Sequence, residues 1–239
     1  MDSNCQNIMQ FQQLNLKNKT YQKMKDRFDL IIFDWDGTLI DSIDWIARCL
    51  QNASTETRHA TPDYQAAKDV IGLSIERAIE ALYSNAKADE VTDLVNRYET
   101  AYFSKKISRD DLFSGVYEML ELLNKQGFKL AIATGKTREG LDEALNATNT
   151  LDLFCITRCA DETQSKPHPL MLEEIMQHTQ ISSERTLMVG DSTHDLQMAL
   201  NASIASIGVA SGAHDIEQLK NYQPLHCFLR PTDLLQHLL

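Results

Sequence analysis

Two carboxylates, Asp34 and Asp36, stand one residue apart and are followed by Gly37, Thr38 and Asp41. Such a pair can hold a hard cation, with one acid free to attack phosphorus or carbon and the other free to move a proton. A bare Asp-x-Asp-Gly is more often two solvated acids at a turn, so the surroundings decide. Leu30 to Phe33 is an uncharged run of apolar side chains ending at Asp34, the pattern of a strand buried on both faces. The acids therefore sit at a strand's C-terminal end, where ligands bind in an open α/β sheet. Gly37 lets the chain turn back just after them.

Three further stretches carry polar side chains at strand ends. Lys129 to Thr134 reads as a second buried strand ending in Thr134-Gly135-Lys136, where a hydroxyl and an unhindered backbone N–H can hold an anion's oxygens. Lys166 precedes Pro167 and supplies a point charge suited to phosphate. Thr186 to Val189 reads as a strand running into Gly190-Asp191-Ser192-Thr193-His194-Asp195. Taken singly, each is ordinary: a strand-end threonine, a loop lysine, two acids favouring a helix N-terminus. Lys136 reads as a substrate contact or, equally well, as an exposed loop lysine. His168 and His194 read as supporting or exposed, and Trp35 as a core side chain near the start of the helical segment that follows.

The elements that position these residues follow from periodicity. Between residues 42 and 108 helical patterns succeed one another without a clear strand, beginning at Ser42 as N-cap, at Thr61-Pro62-Asp63, and after the interruption Ile71-Gly72-Leu73-Ser74. From Leu112 onward strand and helix alternate: a helix over 115–124, the strand at 129–134, a helix near 140–146, a strand at 154–157, a helix after Pro169, the strand at 186–189, a helix over 193–201, and strands at 204–209 and 227–229. Repeated units of this kind imply a mostly parallel sheet with helices on both faces, and the segment 42–108 reads as a helical insert. Residues 1–25 are rich in Gln, Asn and Lys and read as a polar extension without a core of its own, with Met24 a candidate later start.

Composition narrows the functional classes. The 239 residues carry a net charge of -11, which argues against electrostatic binding to nucleic acid or an anionic membrane. Handling a phosphorylated substrate with such a chain requires a local cation. The five cysteines, Cys5, Cys49, Cys155, Cys159 and Cys227, are scattered and odd in number, as expected of reduced thiols in a cytoplasmic protein. No apolar run reaches membrane-spanning length. Composition is silent on oligomeric state.

The ordered set of DWDGTL with Asp41, then Thr134, Lys166 and Gly190-Asp191 with Asp195, resembles the four motifs of the haloacid dehalogenase-like hydrolases, from about residue 28 to the C-terminus. The Thr134-Gly135-Lys136 form is similar to the phosphoglycolate phosphatase-like branch. The resemblance implies a Rossmann-like α/β core (26–41 and 109–239) with a C1 cap inserted over 42–108. It implies that Asp34 is the nucleophile forming an aspartyl-phosphate and that Asp36 is the general acid and base. Thr134, Gly135 and Lys166 would bind the phosphate. Mg²⁺ would be held by Asp34, Asp191 and the backbone carbonyl of Asp36, with Ser192 and Asp195 in support. Ser74 and Arg77 of the cap would contact the substrate, expected to be a small phosphorylated metabolite. A dehalogenase lacks an acid at the Asp36 position and a phosphonatase needs a cap lysine absent from 45–60, so a phosphatase is expected. A phosphomutase on sugar phosphates and a non-catalytic phosphate-binding module are the alternatives.

Overall fold

The computed structural model describes residues 26–55 and 57–238; the polar extension read over 1–25 lies outside them. Six strands form one sheet: β1 (Leu30–Phe33), β2 (Lys129–Thr134), β3 (Ile156–Cys159), β4 (Thr186–Gly190), β5 (Ala205–Val209) and β6 (His226–Phe228). Their order is β3-β2-β1-β4-β5-β6 and every pair is parallel. β1 is thus central, with β2 and β4 as neighbours. The order reverses direction beside β1, which opens the crevice where such sheets bind ligands.

The apolar run of β1 is continuous because both of its faces are covered. Ile31 and Phe33 pack with Met119 and Leu123 of α5 (Val116–Lys125) and Leu141 and Leu145 of α6 (Arg138–Thr148). Leu30 and Ile32 point the other way, toward Met171 and Ile175 of α7 (Leu170–Thr179) and Met198 of α8 (Thr193–Asn201). Two short helices complete the core, α9 (Ile216–Lys220) and α10 (Leu235–Leu238). The expected edge strand at 154–157 forms two residues later, at Ile156–Cys159, where Arg158 is half-buried and paired with Glu174 of α7 at 2.6 Å.

Four helices lie between β1 and α5: α1 (Ile43–Ala53), α2 (Tyr64–Asp69), α3 (Ile75–Leu82) and α4 (Ala88–Tyr102). They enclose a separate apolar cluster that includes Ile46, Leu50, Ile79 and Leu94. The chain leaves the core and returns to it side by side: Ile40 pairs antiparallel with Leu112, Asp41 N–H donates to the Asp111 carbonyl at 2.8 Å, and Phe113 N–H donates to that of Leu39 at 3.1 Å. Asp63 and Ser74 cap α2 and α3 through their side chains. Ser42 precedes α1 but makes no side-chain capping bond; its hydroxyl is engaged elsewhere.

Ile32 is fully buried in the central strand. Truncating it removes about three methyl-sized groups from a site flanked by strands on both sides, which cannot collapse inward. Ile32→Ala is expected to lower stability by about 2–5 kcal/mol in urea unfolding; a loss under about 1 kcal/mol would contradict the central placement of β1.

Candidate active site

The parallel register aligns the C-terminal ends of β1, β2 and β4. Asp34 N–H donates to the Val189 carbonyl at 2.9 Å, extending the ladder by one residue and leaving the Asp34 side chain in the crevice beside Thr134 and Asp191. Asp34, Thr134, Lys166, Asp191, Ser192 and Asp195 are all essentially buried. The Lys166 side chain, with no exposure at all, spans two acids: its Nζ donates to Asp34 Oδ1 at 2.5 Å and to Asp195 Oδ1 at 2.6 Å. The other oxygen of Asp195 accepts from Ser192 N–H at 3.1 Å and Ser192 Oγ at 2.7 Å, closing a capping box at the start of α8. Asp191 accepts from Thr38 Oγ1 at 2.8 Å and from Ala213 N–H at 2.7 Å. Gly37, at φ +78°, passes so close that a Cβ there would stand 2.4 Å from Asp191 Oδ2, so the turn admits no other residue without displacing that carboxylate.

Oxygens of Asp34, Asp191 and Asp195 lie within 4.8 Å of one another. Burial raises the pKa of Asp34 well above the usual carboxylate range, with Lys166 opposing the shift. Burial and then the neighbouring Asp195 push Asp191 up to about 7, although Ala213 N–H and Thr38 favour its ionised form. Burial works against the Lys166 ammonium too, but Asp195 and Asp34 outweigh it and hold its pKa above that of an ordinary lysine. Three acids thus share one ammonium. An oxygen-only donor set carrying more negative than positive charge suits a hard divalent cation.

Asp36 lines the same crevice but is held by other partners. Its Oδ1 accepts from Ser42 Oγ at 2.7 Å, which is why Ser42 caps nothing, and Lys136 Nζ stands 3.3 Å from Oδ2. Lys136 is not the exposed loop lysine that its neighbourhood in sequence allows: it is buried, bonded to the Tyr102 hydroxyl and over the Tyr102 ring at 4.4 Å. Burial opposes its charge, yet Asp36 and Tyr102 raise its pKa on balance. A cap residue therefore reaches a motif acid through one ammonium. Thr134 Oγ1 accepts from Lys136 N–H at 3.3 Å, which leaves its own hydrogen free for a ligand. Gly135 lies under the cap loop, where a Cβ would stand 2.4 Å from the Leu73 carbonyl oxygen.

The two cap candidates fall differently. Ser74 is buried, but its Oγ accepts from Arg77 N–H at 3.4 Å and its own N–H donates to Ser165 Oγ at 2.9 Å. Arg77 pairs with Glu80 at 3.2 Å and lines an outer groove with Gln164 and His168, away from the crevice. The structure brings neither side chain to Asp34. His168 is exposed, whereas His194 is half-buried and its Nε2 meets the Asp69 carbonyl of the cap at 2.9 Å. His214, unremarked in sequence, accepts from Thr193 N–H through Nδ1 at 3.3 Å, and burial depresses its pKa. Cys49 and Cys159 are buried free thiols, and Cys155 is an exposed one. Trp35 is fully buried in the main cluster.

Residues 31–209 match the family model described as haloacid dehalogenase-like hydrolase. The chain belongs to the haloacid dehalogenase-like hydrolases. Among curated relatives, "Probable phosphatase IndB" of Dickeya dadantii is 36% identical over 199 residues, covering 82% of this chain and 86% of the relative. Pyrophosphatase PpaX of Anoxybacillus flavithermus is 30% identical, covering 86% and 94%. Phosphoglycolate phosphatase of Nitrosococcus oceani is 28% identical, covering 82% and 90%. A solved haloacid dehalogenase-like family protein from Streptococcus pneumoniae superposes with a TM-score of 0.74 at 23% identity, covering 87% of this chain and 97% of that one, a likeness of fold. Among the described residues no helix is long and apolar enough to cross a membrane.

The acid cluster makes stability depend on pH in a definite sense. Asp191 titrates near 7 when folded against an ordinary value of 3.8, so the folded state holds its proton more tightly, and stability present below about pH 4 is lost as pH rises through about 7. In chelator, the melting temperature is expected to fall between pH 5 and pH 7.5, and Mg²⁺ to raise it more at pH 7.5 than at pH 5. Asp191→Asn should flatten both responses; an unchanged profile in that variant would remove Asp191 from the account.

Proposed function

We propose that this hydrolase is a Mg²⁺-dependent phosphatase that hydrolyses a small phosphomonoester through an aspartyl-phosphate on Asp34. The observation that carries the reading is the buried Asp34 carboxylate, facing the crevice at the centre of the sheet with Thr134, Gly135 and Lys166 around it. The group fits a cation on the chemistry of its donors. Asp34, Asp191 and the backbone carbonyl of Asp36 would hold Mg²⁺, which when bound offsets the charge between two anions and polarises the phosphoryl group.

The remaining chemistry belongs to the chain. Asp34 attacks phosphorus while the Thr134 hydroxyl and the Gly135 N–H hold phosphoryl oxygens. Lys166, fixed by Asp195, balances the charge that gathers as the P–O bond to the leaving group breaks. Asp36, aimed by Ser42 and Lys136, gives a proton to the leaving oxygen and then takes one from the water that splits the aspartyl-phosphate, releasing alcohol and inorganic phosphate. The helical cap, closed over the crevice, excludes bulk water from the first step.

The test is phosphate release from an alkyl and an aryl phosphate. Chelation should abolish turnover, with Mg²⁺ but not Ca²⁺ restoring it, because Ca²⁺ tolerates a looser shell. Asp34→Asn should fall to background with no trapped phosphoenzyme. Asp36→Asn should lose roughly 10² to 10⁴ on the alkyl ester and less on the activated aryl ester, whose leaving group needs no proton. Equal losses on both esters in both variants would refute this division of roles.

A further inference from the structure

Resting on the phosphatase reading, we infer that the cavity between cap and core is a leaving-group subsite for an uncharged, apolar alcohol moiety, and that substrates with a second anionic group are selected against. The cavity measures about 70 Å³, room for roughly five to seven water-sized groups at 10–15 Å³ each. Its floor is the catalytic end of the core, with Asp34, Asp36, Thr134 and Gly135. Its roof is apolar: Ile46, Leu50, Val70, Ile75, Tyr98 and Tyr102. A phosphoryl group seated at Asp34 therefore directs its ester oxygen's substituent into a hydrocarbon and aromatic surface.

Charge points the same way. A second carboxylate or phosphate on the substrate needs a cation in the roof, and the one charged side chain that the cap contributes to the lining is Glu99. Burial, then the neighbouring Glu76 and Glu139, raise the pKa of Glu99, so the charge nearest this part of the lining is negative. The lining's ammonium, Lys136, is already matched by Asp36 at 3.3 Å and engaged by the Tyr102 hydroxyl. Polyhydroxylated leaving groups find few partners among these side chains. The Tyr98 hydroxyl, which makes no hydrogen bond to the described residues, is the polar handle available to a single oxygen or nitrogen of the leaving group. The cap residues expected to contact substrate, Ser74 and Arg77, are absent from the lining, so apolar side chains take their place as the selecting surface.

The test compares alkyl esters, because their leaving groups are similarly poor and differences in kcat/KM then report the subsite. With Mg²⁺ present, kcat/KM is expected to rise about fourfold per methylene from ethyl through propyl to butyl phosphate. Both 2-phosphoglycolate and pyrophosphate should fall at least tenfold below butyl phosphate. Glu99→Lys, a change at the half-exposed mouth, should raise kcat/KM for 2-phosphoglycolate at least tenfold relative to butyl phosphate. A flat alkyl series, or a preference of the unaltered enzyme for 2-phosphoglycolate or pyrophosphate, overturns the apolar subsite while leaving the phosphatase reading standing. Absence of turnover even on p-nitrophenyl phosphate overturns the phosphatase reading and this inference with it.

Discussion

Three carboxylates buried around one ammonium are the constraint on which the rest of this fold depends. Withdrawing an ion from water costs several kcal/mol even after relaxation, and Asp34, Asp191 and Asp195 share Lys166 as their common counter-ion. The arrangement stands only because the sheet and its loops hold every donor in place. Parallel pairing of β1 with β4 brings Asp34 and Asp191 to one level, the capping box of α8 turns Asp195 toward Lys166, and the Gly37 turn leaves space for Asp191. A surplus of negative charge in a rigid pocket is a standing affinity for cations.

Around that centre, the cap does more than cover the crevice. Asp36 is joined to helix α1 through Ser42 and to helix α4 through Lys136 and Tyr102, and Gly135 is overlaid by the cap-loop carbonyls. Any displacement of the helical segment would therefore disturb the orientation of Asp36 before it disturbed Asp34, which is anchored to β4 through its own backbone. In the proposed mechanism proton transfer is thus coupled to cap position, whereas the acids proposed to hold the cation belong to the core alone.

Much of this arrangement was legible in the sequence. Buried parallel strands read as apolar runs, so β1 and β2 read at their observed bounds, and the helical period over 193–201 gives helix α8 at its observed range. What escaped were contacts made across the fold. Ser42 looks like an N-cap because that reading is local, but Asp36, six residues back, competes successfully for its hydroxyl. Lys136 looks solvated because its partners, Asp36 and Tyr102, are 100 and 34 residues away. Thr38 gave no sign that it would serve Asp191, 153 residues on. Helix α9, at five residues, is shorter than two turns and leaves no period to detect, although Asp215 and Gln218 form a capping box around its start. Arg77 is a polar residue of a helical segment like any other until the packing shows which way that helix faces.

The central position of β1 has a consequence for how the chain is made. β1 is complete at residue 33, yet its two partners are β2, which begins at residue 129, and β4, which begins at residue 186. At a synthesis rate of about 5–20 residues per second, the strand waits roughly five to twenty seconds for its first neighbour and longer for its second. Throughout that interval the apolar run Leu30–Phe33 has no native ladder to join, while the four helices made in the meantime can assemble with contacts of short range. The strand at the centre of the finished sheet is thus the first of the six to be made, and it waits longest before it is paired on both sides.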